Sequence, residues 1–314
     1  MSDFLGIDTS NYTTSAAIFR AESCEIIQRK MRLPVKSGET GLRQSDAVFH
    51  HTVQISKVLE SLFSEIDGLD IKAVCASTKP RNVEGSYMPC FLSGEAAGRA
   101  IASAMRIPFY GTSHQIGHIL AALYSANAME LREKPFIVFH VSGGTTECLL
   151  CEPNDEHILT TTVIGQTLDL KAGQVIDRVG VMLGMDFPCG AEMERVARNC
   201  NEKFAVKPVI KGTNCCFSGV ENKCREMLNK YGEITDITKA NIANYCLTHI
   251  SDTILGIANI VNILFGSLPL IFAGGVMSNA DIAAKIISQH PHALFAAPEF
   301  SCDNAAGIAL AASR

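Results

Sequence analysis

The chain runs twice through one order of elements: a short apolar strand, a tight polar turn, two further strands, then helices. The first pass opens at GIDTSNYTTSAAIF and the second, after Pro135, at VFHVSGGTTECLL. Strands that pair through tight turns and then give way to helices predict an α/β layer architecture. The same arrangement met twice, without a close repeat of residues, predicts two like lobes enclosing a cleft lined by both turns, where ligands commonly bind. The lobes are expected at 1–134 and 135–302, with a last helix, 303–314, packing back on the first.

Within the first pass, FLGID, TSAAIFR, EIIQRKMRL, IKAVCAS and IPFYG read as strands. SDAVFHHTVQISKVLESLF carries apolar residues at helical spacing, with Ser45 and Asp46 as candidate caps, and FLSGEAAGRAIASAM reads as a small-residue helix. Within the second, FIVFHVSGG, TTECLLC and HILTTTVIG are strands, and DLKAGQVIDRVGVML, AEMERVARNC and the long ITKANIANYCLTHISDTILGIANIVNILF are helical. LPLIFAGGV is a strand opening onto a helix, and DNAAGIALAAS closes the chain.

A chain of 314 residues with 47% hydrophobic content supports two proper cores. That content and a mean hydropathy of +0.17 exclude a disordered protein. Apolar stretches such as ILGIANIVNILF are broken by Gly and Asn and fall short of the ~18 residues a membrane span needs. MSDFLGIDTS has neither a basic flank nor a cleavage pattern. The expectation is a cytoplasmic protein with no membrane partner. The 12 cysteines sit inside apolar runs as small hydrophobes, and Cys148 and Cys151 of CLLC lie in a strand, where residues three apart face opposite sides. Reduced thiols follow. A net charge of −5 is not the basic face of a protein that holds nucleic acid by itself. Basic residues do gather between Arg20 and Arg43 and between Lys203 and Lys230. If RNA is the substrate, a partner protein is expected to help hold it.

His114 and His118 stand four residues apart in GTSHQIGHILAAL. On a helix that spacing stacks both imidazoles on one face, where they can grip one cation, with Asp303 available near the end of the chain. The comparison with an HExxH zinc peptidase fails, because the position of the catalytic base is Gln115, which takes up no proton at neutral pH. Peptide hydrolysis by that route is therefore not expected. In VSGGTT, Val141 to Thr146, the absence of Cβ at Gly143 and Gly144 lets backbone N–H groups approach a phosphate or carboxylate, although SGG also makes ordinary hairpin turns. FAGGV, with Gly274 and Gly275, ends a strand before a helix N-terminus that can face an anion, and Asn279 one turn on can bond a sugar or base, or simply water. Asp8 follows the first strand. Asp177, Gly190 and Glu194 read equally as ligand contacts and as ordinary helix and loop residues.

Taken in order, GIDTS, HQIGH, VSGGTT, GQTLDLKAGQVIDRV, FPCG, CFSG, AGGVMSN and CDNAAGIALA carry a resemblance nearly end to end. The chain resembles the TsaD/glycoprotease-like family of tRNA threonylcarbamoyl transferases, in the actin/Hsp70/sugar-kinase superfamily of duplicated RNase H-like domains. The resemblance implies transfer of a threonylcarbamoyl group from threonylcarbamoyl-AMP to the adenosine beside the anticodon of tRNA. It implies one divalent metal, iron or zinc, on His114, His118 and Asp303, with His140 as a fourth ligand where some relatives carry tyrosine. Val141, Ser142, Gly143, Gly144 and Thr145 would hold the phosphate or carbamoyl end of an adenylate or ATP-type nucleotide. Asp177, Gly190 and Glu194 would hold ribose and base, and Gly274, Gly275 and Asn279 would close over them. Asp8 would be a base or a water-orienting group. A smaller paralogue and an ATPase would be partners.

The chain also departs from the family pattern. A Gly-Pro-Gly-Leu stretch is replaced by TKPRNVEGSYMP, Thr78 to Pro89, and the Leu-Lys after FSG is Val220-Glu221, which reverses a charge. The first turn reads SNYTT for Cys-Asp-Glu-Thr, and PGG reads Pro188-Cys189-Gly190. These changes mark a divergent paralogue and keep two other readings open: a carbamoyltransferase acting on a non-tRNA acceptor, and a nucleotide-binding regulator without turnover.

Overall fold

Both passes of the sequence close into a five-stranded mixed sheet of one topology. The computed structural model describes residues 2–10, 12–34, 42–301 and 304–314. By contact density the chain divides into two units, Met1–Arg132 with Pro153–Thr160 and Glu299–Arg314, and Glu133–Glu152 with Thr161–Pro298. The division differs from the expected one chiefly in residues 153–160, which join the first unit.

The first sheet is built from β1 (Asp3–Asp8), β2 (Thr13–Arg20), β3 (Glu25–Arg32), β4 (Ile71–Lys79) and β5 (Phe109–Ser113), with α1 (Gln44–Phe63), α2 (Phe91–Met105) and α3 (His114–Ser125) between and after them. Its order is β3-β2-β1-β4-β5, antiparallel from β1 through β3 and parallel across β1, β4 and β5. The middle strand is covered on both faces, so FLGID is a nearly continuous apolar run rather than an alternating one. Leu5, Ile7 and Ile18 pack with Ile55, Val58 and Leu62 of α1 in one core.

The second unit repeats the plan with β6 (Phe136–Val141), β7 (Thr146–Asn154), β8 (Ile158–Gln166), α4 (Ala172–Met182), α5 (Gly190–Ala197), β9 (Val209–Lys211), β10 (Asn214–Cys216), α6 (Ser218–Tyr231), α7 (Asp236–Phe265), β11 (Leu270–Ala273), α8 (Ala280–Gln289) and β12 (Leu294–Phe295). Its sheet order, β12-β11-β6-β7-β8, matches the first when β6 is set on β1, β7 on β2, β8 on β3, β11 on β4 and β12 on β5. The antiparallel β6–β7 pair and the parallel β6–β11 and β11–β12 pairs agree with that assignment.

Three details depart from the sequence reading. α1 starts at Gln44 after an extended Arg43 with no side-chain cap, so neither Ser45 nor Asp46 caps it. The β9–β10 ribbon turns through Gly212 at φ +61, and its strands, three residues each, are too short to show a period. α7 is also an unbroken 30-residue helix, long and apolar enough by length and composition to cross a membrane. Its Ile242, Ala243, Cys246, Ile250, Ile254 and Val261 lie in the core of the second unit, which accounts for its apolarity.

The last helix, α9 (Ala306–Ala312), lies on the other face of the first sheet, where Ala305 and Ala309 pack on Ala17. Three glycines set how close it comes. A Cβ at Gly6 would overlap the backbone N of Ala309, one at Gly307 would overlap the Gly117 carbonyl oxygen, and one at Gly117 would overlap the Ile308 side chain. α9 therefore meets β1 and α3 backbone to backbone. A Gly307→Ala substitution is expected to cost about 1–3 kcal/mol through overpacking. It should lower the urea midpoint, whereas Gly219→Ala, whose Cβ would meet open space, should leave that midpoint nearly unchanged.

Candidate functional site

α3 begins where β5 ends, and Ser113 makes the junction by accepting the Ile116 backbone N–H at 3.3 Å. This cap makes His114 the first helical residue and sets His118 one turn along. Their Nε2 atoms face each other 3.0 Å apart, with ring centroids at 4.4 Å. Two metal–nitrogen bonds of ~2.1 Å subtending about a right angle span that separation. The donor set is thus suited to one borderline cation such as zinc or iron(II).

Behind His114, its Nδ1 lies 3.3 Å from Oδ1 of Asp8, the last residue of β1. Asp8 is 0% exposed. Ser10 Oγ donates to its Oδ2 at 2.6 Å, and Ser77 Oγ, from β4, donates to Oδ1. Burial opposes the charge on Asp8, yet the His114 ring and the two hydroxyls together hold its carboxyl below the usual carboxylate range. The sequence reading gave Asp8 the role of a base or water-orienting group and did not find Ser10 or Ser77. Ser10 stands only two residues after Asp8, whereas the only signal for Ser77 is strand register, which no local pattern reveals.

Asp303 lies outside the described residues. Among the described residues no three or more His, Cys, Asp or Glu side chains converge as a metal-binding group. His140 stands on β6 of the second unit, opposite Glu147 of β7 and Ala273 of β11.

In the second unit the β6–β7 turn is tied down from several sides. Ser142 Oγ accepts the N–H groups of Gly144 and Thr145 at 3.3 and 3.1 Å, and Ser142 N–H donates to the Thr145 carbonyl at 2.7 Å. The start of α4 donates back, Ala172 N–H to Thr146 Oγ1 at 2.9 Å and Gly173 N–H to the Ser142 carbonyl at 3.2 Å. A Cβ at Gly173 would come within 2.6 Å of the Gly143 nitrogen. Gly274, at φ +99, passes so close under Val141 that a Cβ there would overlap its carbonyl oxygen. By contrast, the Cβ positions of Gly143, Gly144, Gly190 and Gly275 are open space, so a flat or anionic ligand can lie against backbone at each.

The other residues singled out have structural work of their own. Asp177, on α4, accepts the Cys189 N–H at 2.9 Å, which fixes the start of α5 at Gly190, and burial raises its carboxyl above the usual range. Glu194 accepts from Arg198 at 2.6 Å and from the Ala280 N–H at 3.1 Å, tying α5 to α8. Asn279 is the N-cap of α8, its side-chain oxygen accepting from Asp281 and Ile282 at 3.0 Å each. Its position is therefore at the helix start, rather than one turn into it. Asp169, unremarked in the sequence, accepts the N–H groups of Leu170, Phe217 and Ser218 and the Ser218 hydroxyl. It thereby joins the GQTLDL and CFSG motifs, and although burial opposes its charge, these donors hold its carboxyl below the usual range.

The departures also have a place. In the 78–89 segment, Pro80 accepts the Gln115 N–H at 3.1 Å, so this loop is fastened to the first turn of α3, and Tyr87 is exposed. Glu221 accepts from Arg178 at 3.2 Å and from Arg225 at 2.9 Å, so the reversed charge closes an ion-pair network. The described cysteines are all free thiols. Burial pushes the Cys75 thiol up to about 12 and those of Cys148 and Cys151 higher still, so these rest as neutral buried thiols.

Comparison with known proteins bears on what this arrangement belongs to. Residues 29–310 match the family described as TsaD: tRNA N6-adenosine threonylcarbamoyltransferase. The tRNA N6-adenosine threonylcarbamoyltransferase of Wigglesworthia glossinidia brevipalpis is 26% identical over 325 aligned residues, covering 98% of this chain and 91% of its own length. Among solved structures, the activator of the 2-hydroxyisocaproyl-CoA dehydratase from Clostridium difficile, with bound ADPNP, is similar at a TM-score of 0.52 and 15% identity, covering 99% of this chain and 94% of that one. HypF of T. kodakarensis is similar at a TM-score of 0.59 and 11% identity, covering 99% of this chain and 46% of that one. At such identities the structural likeness speaks for the fold alone, an actin/Hsp70/sugar-kinase-like one. The family match spans nearly the whole chain, from the third strand to the last helix, and on that ground this protein is an enzyme of the TsaD family of tRNA N6-adenosine threonylcarbamoyltransferases.

Proposed function

We propose that this enzyme transfers the threonylcarbamoyl group of threonylcarbamoyl-AMP to N6 of the adenosine beside the anticodon of tRNA, with one divalent iron or zinc ion bound. The observation that carries the reading is the pair of imidazole Nε2 atoms 3.0 Å apart on α3, in a chain matched by the family over residues 29–310. His114 and His118 would hold the cation together with Asp303. Asn304, its neighbour, accepts the Ala306 N–H with its side chain as α9 begins, and α9 packs on α3. Bound there, the cation supplies a Lewis acid for a carbonyl or phosphate oxygen.

The remaining chemistry falls to the chain itself. In the step, the N6 amine attacks the carbamoyl carbon, a C–N bond forms, the bond to phosphate oxygen breaks, and the amine proton is released as AMP departs. An exocyclic adenine amine is a weak nucleophile, so holding the donor in place matters most. Exposed backbone at Gly143 and Gly144, backed by the start of α4, would receive the phosphate. Gly190 and Gly275 would let ribose and base lie against the chain, and Asp177, through Cys189, would hold Gly190 in position. A smaller paralogue and an ATPase are the proposed partners, and the cytoplasm the proposed location. The Glu221 ion-pair network and the 78–89 loop favour keeping one second reading, the same transfer to an acceptor other than tRNA.

The direct test incubates metal-loaded protein with threonylcarbamoyl-AMP and unmodified tRNA and looks for the modified nucleoside. Its formation is expected. Release of AMP with unmodified tRNA would favour the other acceptor, and bound nucleotide without turnover would leave only a regulator. Gly173→Ala, by pushing on Gly143, should weaken AMP binding by about tenfold or more in calorimetry, with the far-UV circular dichroism unchanged. Dialysed His118→Ala protein should retain almost no metal by elemental analysis, against about one ion per wild-type chain.

A further inference from the structure

We infer that Asp8, Ser10 and Ser77 are a positioning set for His114, holding its ring so that Nε2 is the metal-binding nitrogen, and that Asp8 is not the base of the transfer step. This rests on the reading of His114 as a metal ligand. Imidazole offers two nitrogens, and the hydrogen bond made by one decides which form the other takes. Asp8 Oδ1 stands 3.3 Å from Nδ1, so the carboxylate receives the Nδ1 proton and leaves a lone pair on Nε2, the atom that faces His118. A metal-binding histidine backed by a carboxylate has its orientation fixed and its basicity raised.

The two serines make this acceptor rigid. A carboxylate held at one oxygen can still rotate about its Cβ–Cγ bond. Here Ser10 holds Oδ2 at 2.6 Å, Ser77 holds Oδ1, and Ser15 Oγ donates to the Asp8 main-chain carbonyl at 3.3 Å. Ser10 comes from the turn that follows β1, and the fold delivers Ser77 and His114 through strand register. Parallel pairing of β1 and β4 sets Ile7 opposite Ala76, so the next residue on each strand is Asp8 and Ser77. Parallel pairing of β4 and β5 sets Ser77 opposite Thr112, two residues before His114.

The same bonds argue against a base. A general base must come within about 2.6–3.2 Å of the proton it takes, directly or through one water. Asp8 is 0% exposed, and both its oxygens already accept hydrogen bonds from within the protein.

The test titrates zinc into the metal-free full chain against a chromophoric chelator and records 15N chemical shifts of the His114 ring. Wild-type protein should bind zinc and show Nδ1 protonated before zinc is added. Asp8→Asn should weaken zinc binding by about 10–100-fold and Ser77→Ala by up to about tenfold, with mixed His114 tautomers in both. Ser77→Thr, which keeps the hydroxyl, should stay near wild type, and Ser10→Ala provides a milder variant should Ser77→Ala fold poorly. Unchanged zinc affinity and tautomer in Asp8→Asn and Ser77→Ala, or in Ser10→Ala if Ser77→Ala does not fold, would overturn the inference while leaving the metal reading intact. So would an Asp8→Asn protein with wild-type zinc affinity but no turnover at saturating zinc, since Asp8 would then act in the chemistry. Failure of the wild type to bind zinc or iron(II) would instead remove the metal reading itself.

Discussion

The first unit depends on how closely its last helix approaches. Gly6 on β1, Gly117 on α3 and Gly307 on α9 replace side-chain packing with backbone contact, because a Cβ at any of them would overlap its neighbour. Interiors are packed too densely to yield easily at such points. The contact therefore fixes α9 against the one helix that carries His114 and His118. It also sets the start of α9, where the Asn304 side chain accepts the Ala306 N–H, beside that helix. Residues at opposite ends of the chain become neighbours through three missing methyl groups.

The second unit uses the same device for a different end. Its β6–β7 turn is held from below by Gly274 and from the side by Gly173, both at positions where a side chain would strike the turn's backbone. Gly143 and Gly144 can then face open space without being loose, since Ser142 and Thr146 tie the turn to itself and to α4. Small residues thus divide into two kinds here. Gly173 and Gly274 permit packing, whereas Gly143, Gly190 and Gly275 leave room for a ligand.

Several polar side chains of the second unit act as joints. Asn279 starts α8, Glu194 ties α5 to α8, and Asp169 joins the segment before α4 to the start of α6. Each accepts backbone N–H groups that the start of a helix leaves unpaired. Glu221 shows the converse. The reversed charge that marks a departure from the family pattern in sequence is paired with Arg178 and Arg225.

The sequence by itself determined the duplicated α/β plan, most strands and helices, and the histidine pair, because hydrophobic period and i, i+4 spacing are local properties written in consecutive residues. The residues around those landmarks were not legible in it. Nothing near Ser77 marks it as a partner of Asp8, and nothing near Gly307 marks it as the contact for Gly117. The sequence also did not show that Asp8 is buried and bonded to His114, Ser10 and Ser77. Only the tertiary structure decided these, since strand register and helix-to-helix distance arise when segments far apart in the chain pack together. A side chain's partners there depend on which strand lies alongside, which no stretch of neighbouring residues encodes.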